Sequence, residues 1–126
     1  MPEIREAVMR DPRYPVSAIA DALLPYRRVL VDEFAPEQVI LFGSYAYGSP
    51  SYDSDVDLLV IKDVEDAPTR EATRIRAAWW PIRMSGTNLG FDLRVESPDG
   101  HLERLRRGGA YYREITSRGC DWYENE

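Results

Sequence analysis

Residues 39–60 read VILFGSYAYGSPSYDSDVDLLV: a short apolar run, a segment rich in glycine, serine and tyrosine, and a run that follows closely spaced aspartates. The first run extends from Gln38 to Phe42 and has the length and composition of a strand buried on both faces. Residues 55–61 carry an apolar side chain at every second position, which predicts another strand. Because side chains two residues apart on a strand project from the same face, Asp55 and Asp57 are expected to be neighbours.

A third alternating run, residues 89–95, carries Asp92 on the face opposite its apolar side chains. Carboxylates held close together repel one another unless a cation binds between them. Carboxylate oxygens are the ligands that Mg²⁺ prefers, especially where substrate phosphates complete its coordination shell. If the strand of Asp92 lies beside that of Asp55, the three aspartates Asp55, Asp57 and Asp92 therefore predict a divalent-metal site.

Gly43 and Ser44 directly follow the first predicted strand. A glycine at this position lets backbone N–H groups approach a phosphate closely, and the serine hydroxyl adds one more donor. The sequence therefore predicts a phosphate-binding turn and a metal site within one short segment. The phosphates of a nucleotide would bind to the turn and complete the coordination shell of the metal.

The pattern Gly43-Ser44, ten residues, then Asp55-Val-Asp57 resembles the signature of the DNA polymerase β-like nucleotidyltransferase superfamily. Its spacing is most similar to that of the minimal nucleotidyltransferases, small bacterial proteins that are commonly paired with HEPN-type toxins. The resemblance covers about residues 17–124. It implies an α/β (α+β) chain with one nucleotidyltransferase-fold domain over residues 17–126, in which helices flank a small mixed β-sheet. Residues 1–16 are expected to form an irregular lead-in.

The resemblance also implies roles for the five candidate residues. Asp55 and Asp57 would bind two Mg²⁺ ions, and Asp92 would complete the metal site and act as the general base. Gly43 and Ser44 would hold the terminal phosphates of the nucleotide. The implied reaction is the transfer of AMP from ATP to a hydroxyl of a partner protein, and the implied biological role is that of the antitoxin to a HEPN-type toxin.

Tyr47 departs from the family pattern. The family usually has an arginine in the context S-x-A-R-G, whereas this chain reads SYAYG over residues 44–48. Either the phosphates are bound more weakly, or an arginine from the C-terminal third takes the missing role; the sequence leaves both open. The departure also keeps a second hypothesis open, in which the protein is a catalytically inactive antitoxin that acts by surface contact.

A third hypothesis is a nucleotidyltransferase that modifies a small molecule or an RNA end. Such enzymes usually carry an added acceptor-binding domain, and 126 residues have room for a single core. The net charge of −6 disfavours general binding to nucleic acid, because an acidic surface repels phosphate backbones. The oligomeric state, whether homo- or hetero-oligomer, stays open.

Composition favours a folded cytoplasmic protein. Hydrophobic residues make up 44% of the chain and charged residues 30%, which is typical of globular domains. The single cysteine, Cys120, excludes an internal disulfide, favours a reducing compartment and is predicted to be a small buried side chain. The longest apolar runs are far shorter than the roughly 20 residues of a membrane span, so we expect no membrane segment. Residues 1–11 lack the uninterrupted apolar core of a secretory signal, so we expect the protein to stay in the cytoplasm.

Further elements are predicted from helical spacing and from the positions of proline and glycine. Apolar residues three and four apart predict a helix from Ser17 to Phe34, which Ser17 caps and Pro25 either kinks or divides. Another helix is predicted over residues 69–80, ending at Pro81. Two more helices and a last strand are predicted over residues 98–107, 110–117 and 120–123, with Ser97 before Pro98 as a helix start and Gly119 as a helix stop.

Four kinds of conspicuous side chain receive structural interpretations. Trp79, Trp80 and Phe91 are predicted to be core residues rather than a base-stacking surface. His101, the single histidine, is predicted to be solvated on a helix. The arginines between residues 104 and 118 are predicted to form a solvated helix face.

Overall fold

The computed structural model describes residues 10–51, 53–86 and 89–125. In these ranges a mixed sheet is flanked by helices, which confirms the predicted α/β class. The elements, in chain order, are a 3-10 helix (Pro15–Ile19), α1 (Ala20–Phe34), β1 (Gln38–Phe42), α2 (Ser44–Tyr47), β2 (Val56–Ile61), α3 (Pro68–Met84), β3 (Phe91–Glu96), α4 (Pro98–Arg107), α5 (Ala110–Arg118) and β4 (Cys120–Glu124).

The four strands lie in the order β3-β2-β1-β4. Strand β1 is antiparallel to both β2 and β4, whereas β2 and β3 are parallel. The register places Phe42, the last residue of β1, opposite Asp57, and it places Asp57 opposite Asp92. The end of β1 and the beginnings of β2 and β3 therefore meet at one end of the sheet.

Both faces of the sheet are covered, as the apolar runs predict. Strand β1 is buried from Val39 to Phe42, and every residue of β2 except Asp57 is buried. Helices α1 and α3 cover one face, and Ile115 of α5 packs on the other. The side chains beneath Ile115 are Ile40, Phe42, Leu59 and Ile61. Burying each of these side chains stabilises the fold by about 1.5–3 kcal/mol.

Helix α1 is continuous through Pro25, so the alternative of two short helices is wrong. Proline in a helix interior removes one backbone donor, which destabilises the helix. The burial of the apolar face of α1, which is complete at Leu23, Tyr26 and Leu30, offsets this loss. The predicted cap is also wrong, because Ser17 lies inside the 3-10 helix and α1 begins at Ala20 without a side-chain cap.

The start of the core falls inside the predicted lead-in. Pro15, with its fixed φ, opens the 3-10 helix, and the next residue, Val16, is fully buried. Residues 1–9 of that lead-in lie outside the described part of the chain. The domain boundary at residue 17 therefore stays a prediction.

Helix α3 runs to Met84, past the end predicted at Pro81. The extra turn forms because Ile82 packs against the core and the Ser85 N–H donates to the Pro81 carbonyl at 3.1 Å. Trp79 is buried, as predicted, and its indole N–H donates to a main-chain carbonyl of α1 at 3.0 Å. Trp80 is 60% exposed, so its assignment to the core is wrong. It lies one residue further around the helix, on the solvent side.

The C-terminal elements agree closely with prediction. The Gly100 N–H donates to the Ser97 hydroxyl oxygen at 3.0 Å, which caps α4 at the predicted start. Helix α5 is one residue longer than predicted, and it stops at Gly119 as expected. In the described ranges, no helix has both the length and the apolar character needed to cross a bilayer.

Candidate active site

A tight turn connects β1 to α2 at Gly43. This residue has φ +75° and ψ −156°, a conformation that is essentially restricted to glycine. Its carbonyl accepts hydrogen bonds from the N–H groups of Ala46 and Tyr47, each at 3.0 Å. A Cβ at position 43 would lie 1.9 Å from Oδ2 of Asp57. The predicted phosphate-binding turn therefore lies directly against one of the predicted metal-binding carboxylates.

The structure brings the three predicted aspartates to the same end of the sheet. Asp57 and Asp92 are opposite one another on the parallel strands β2 and β3. Asp55 lies just before β2, and its Oδ1 would be 2.3 Å from a Cβ at Gly90, the residue before β3. The condition set by the sequence, that the strand of Asp92 lies beside that of Asp55, is therefore met.

Asp57 has an unusual ionisation equilibrium. The pKa of this carboxyl is raised to about 6, chiefly by burial and also by the negative charges of Asp92 and Asp55, whereas Arg94 acts in the opposite direction. Like charges and partial burial disfavour the ionised form of a carboxyl. A carboxyl with such a shift beside a phosphate-binding turn is a candidate for catalysis or cation binding.

The donor chemistry of the site fits a divalent cation. Carboxylate oxygens suit Mg²⁺, and a bound cation would relieve the repulsion that raises the pKa of Asp57. The ligand set is incomplete, however: in the described ranges no three His, Cys, Asp or Glu side chains already surround one point as metal ligands. Mg²⁺ is often held by one or two carboxylates together with substrate phosphates, which Gly43 and Ser44 would place here.

Arg94 is a neighbour of the site that the sequence analysis missed. It lies two residues after Asp92, on the same face of β3, and its Nη2 is 3.9 Å from Oδ2 of Asp92. Its guanidinium also stacks over the ring of Tyr111, with 5.4 Å between the carbon and the ring centre. The alternating pattern of residues 89–95 is the signal that could have identified Arg94, because it places Arg94 on the same face as Asp92.

A cavity of about 450 Å³ lies along β3. Arg94 forms part of its wall, and the predicted residues Asp55, Asp57 and Asp92 do not line it. The lining combines apolar side chains with two tyrosines, two arginines and a glutamate: Leu59, Leu93, Val95, Ile115, Tyr111, Tyr112, Arg94, Arg104 and Glu96. Arg94 thus borders both Asp92 and this cavity.

The C-terminal side chains are only partly as predicted. His101 is half-buried, and its Nδ1 is hydrogen-bonded to the hydroxyl of Tyr112, so the prediction of a solvated histidine is wrong. Burial lowers the pKa of the His101 imidazole. Cys120 is half-buried rather than buried. Its partial burial, together with the negative charge of Asp121, raises the pKa of the thiol to about 11. The arginines form solvated ion pairs as expected: Arg104 with Glu96, Arg106 and Arg107 with Glu103, and Arg118 with Glu114.

The raised pKa of Asp57 predicts a pH-dependent cost in stability. Below about pH 4 the carboxyl is protonated in both folded and unfolded chains, and above about pH 6 it is ionised at a cost in the folded chain. In EDTA, wild type should therefore lose about 1 kcal/mol of unfolding free energy relative to Asp57→Asn between these limits, since solvent screens part of the repulsion. Urea unfolding at several pH values measures this, with the exposed Asp63→Asn as control. Parallel pH profiles for wild type and Asp57→Asn would contradict the prediction.

Comparison with known proteins adds a family match. A family described as "Nucleotidyltransferase domain" matches residues 26–101, which is more than half of the chain and includes all five candidate residues. The chain is also similar to a protein of Methanocaldococcus jannaschii that is provisionally named a protein adenylyltransferase. The two are 33% identical over 54 residues, which cover 43% of this chain and 54% of that protein. The chain thus spans about half the length of this curated relative.

Proposed function

Since the chain belongs to the nucleotidyltransferase domain family, we propose that it transfers AMP from ATP to a hydroxyl group of a partner protein. One observation carries the proposal: the Gly43 turn touches the carboxylate of Asp57, which lies opposite Asp92 on the next strand. A phosphate-binding turn in contact with paired carboxylates suits a nucleotide whose phosphates share a cation with the protein.

The reaction uses the five residues in distinct ways. Backbone N–H groups around Gly43 and the Ser44 hydroxyl bind the β- and γ-phosphates, which orients the α-phosphorus towards the acceptor. Asp55, Asp57 and Asp92 would hold divalent cations, which would neutralise charge on the triphosphate and acidify the acceptor hydroxyl. The acceptor oxygen forms a bond to the α-phosphorus while the bond from that phosphorus to the bridging oxygen breaks, and pyrophosphate leaves.

Asp92 takes the proton of the acceptor hydroxyl in this proposal. Its carboxylate is 45% exposed, so an incoming hydroxyl can reach it. The 3.9 Å contact with Arg94 is too long for a hydrogen bond, which leaves the carboxylate oxygens of Asp92 able to accept one from the acceptor.

The acceptor is proposed to be a protein, and specifically a HEPN-type toxin that this chain silences as a cytoplasmic antitoxin. The name of the Methanocaldococcus jannaschii relative supports a protein acceptor. The resemblance of the motif between Gly43 and Asp57 to that of the minimal nucleotidyltransferases supports a toxin as the partner. A second candidate, neutralisation by binding without catalysis, is favoured by Tyr47 at the position of the usual arginine.

Label transfer tests the proposed reaction. The purified protein is incubated with Mg²⁺, with ATP radiolabelled at either the α- or the γ-phosphate, and with a lysate of cells that express the gene adjacent to the one that encodes this chain, the candidate for the toxin gene. We expect a labelled protein band with the α-label only, since the β- and γ-phosphates leave as pyrophosphate. EDTA should abolish the band.

Other outcomes of this experiment separate the rival hypotheses. Label from the γ-phosphate would indicate a kinase and contradict the proposal. Label in RNA would replace the protein acceptor. Absence of label from ATP, while the toxin is still neutralised, would favour the non-catalytic binding protein.

A further inference from the structure

Arg118, the last residue of α5, contacts the short helix that follows the Gly43 turn. Its guanidinium carbon lies 4.3 Å from the centre of the Tyr47 ring. Arginine stacks on aromatic faces in this way because its planar cation is attracted to the negative face of the ring. A cation from the C-terminal part of the chain therefore lies against Tyr47, the residue that stands where the family usually has an arginine.

The main chain holds the end of α5 in this place. A Cβ on Gly119 would come within 2.3 Å of the Ile115 carbonyl oxygen and within 2.8 Å of the Leu41 carbonyl oxygen. The next residue, Cys120, pairs with Leu41 in the sheet. Because Leu41 is only two residues before Gly43, the sheet holds the backbone at the end of α5 near the phosphate-binding turn.

The guanidinium of Arg118 retains unused donors. Its Nη1 binds Glu114 at 3.0 Å, and no other hydrogen bond from this side chain is found in the described part of the chain. The side chain is 56% exposed, although one face of the guanidinium covers the Tyr47 ring. Arginine carries five N–H donors in a rigid fork that matches phosphate oxygens, so several remain for an anion.

We propose that Arg118 supplies the positive charge for the triphosphate at the Gly43 turn, with the Tyr47 ring as its support. This inference rests on the proposed function and deepens it. The family match ends at residue 101, so Arg118 lies outside the matched segment. Arg118 should then strengthen the binding of the triphosphate and have no effect on the affinity for the nucleoside.

Calorimetric titration tests this with ATP and adenosine, in the presence of Mg²⁺, on the full chain. One charge-assisted contact is worth about 1.5–3 kcal/mol, so Arg118→Ala should weaken ATP binding by about 10- to 100-fold. Adenosine affinity should stay within twofold of wild type. The matched control is Arg107→Ala, an exposed arginine that pairs with Glu103 on α4.

A transplanted arginine sharpens the test. In the Arg118→Ala background, Tyr47→Arg should recover at least half of the lost ATP affinity on a logarithmic scale, because it returns a guanidinium to the same turn. A merely structural role for Arg118 would not be rescued this way. If Arg118→Ala does not fold, Arg118→Gln keeps most of the side chain and removes the charge, and the same weakening is expected.

Two results would overturn the inference. ATP binding that survives both Arg118→Ala and Arg118→Gln unchanged would overturn it alone and leave the proposed function standing. If wild type itself binds no nucleoside triphosphate, the proposed function and the inference fail together.

Discussion

Asp57→Asn is expected to lower kcat/KM for nucleotidyl transfer by about a thousandfold. Asparagine keeps the size of the side chain and removes the charge that would bind the cations. The fold should tolerate the change, because the carboxylate faces the like charges of Asp92 and Asp55, and the substitution removes this repulsion. Activity and stability should therefore move in opposite directions, which a structural role for Asp57 would not produce.

Initial rates of label transfer and urea unfolding, measured on the same preparations above about pH 7, test this prediction. Asp63→Asn is the matched control, since it removes a carboxylate from an exposed position just beyond the same strand. Full turnover by Asp57→Asn would refute the assignment of the site. A drop in stability alongside the lost activity would show that Asp57 acts through the fold.

Gly43→Ala is expected to abolish measurable ATP binding, which corresponds to a loss of at least about 100-fold in affinity. The new methyl group would require φ +75° of a residue that has a Cβ, at a cost of about 1–3 kcal/mol. It would also overlap Oδ2 of Asp57, which is 1.9 Å from the Cβ position. Either the turn or the carboxylate must move, and the geometry between them is what the proposed site depends on.

Gly108→Ala separates backbone strain from damage to the site. Gly108 also has a positive φ, +68°, but the atoms nearest to its Cβ would be those of the Arg113 guanidinium, the flexible end of a long side chain. It is the C-cap residue of α4 and belongs to none of the elements that carry the candidate site. Titration with ATP and thermal unfolding should show destabilisation for both variants and lost binding for Gly43→Ala alone. Retained binding in Gly43→Ala would disprove the role of the turn.

The end of the sheet that carries the site could be predicted because its signals are local. Strand β1 begins and ends at the predicted residues. A run of four large apolar residues between Pro36 and Gly43 is too short for a buried helix and has the length of a buried strand. The shared face of Asp57 and Asp92 required one further condition, the pairing of β2 with β3, and the structure meets it. The catalytic roles of these residues stay predictions.

The features that could not be predicted depend on contacts between distant parts of the chain. Helix α3 continues through Pro81 because the core holds the following turn, and no local rule contains that information. His101 is shielded by Tyr112, eleven residues later on the next helix. Arg118 stacks on Tyr47 although the two residues are far apart in sequence. The sequence alone therefore could not show which C-terminal arginine lies near Tyr47.

Strand β4 has a consequence for how the protein is made. It pairs with the edge of β1 away from β2, and the Asn125 N–H extends this pairing with a 2.8 Å bond to the Glu37 carbonyl. At about 5–20 residues per second, a ribosome needs roughly 4–16 s to add the residues between Phe42 and Glu124. Throughout that time β1 has an open edge, a template for pairing with other chains. The nascent chain should therefore be prone to aggregation at this edge until β4 has been made.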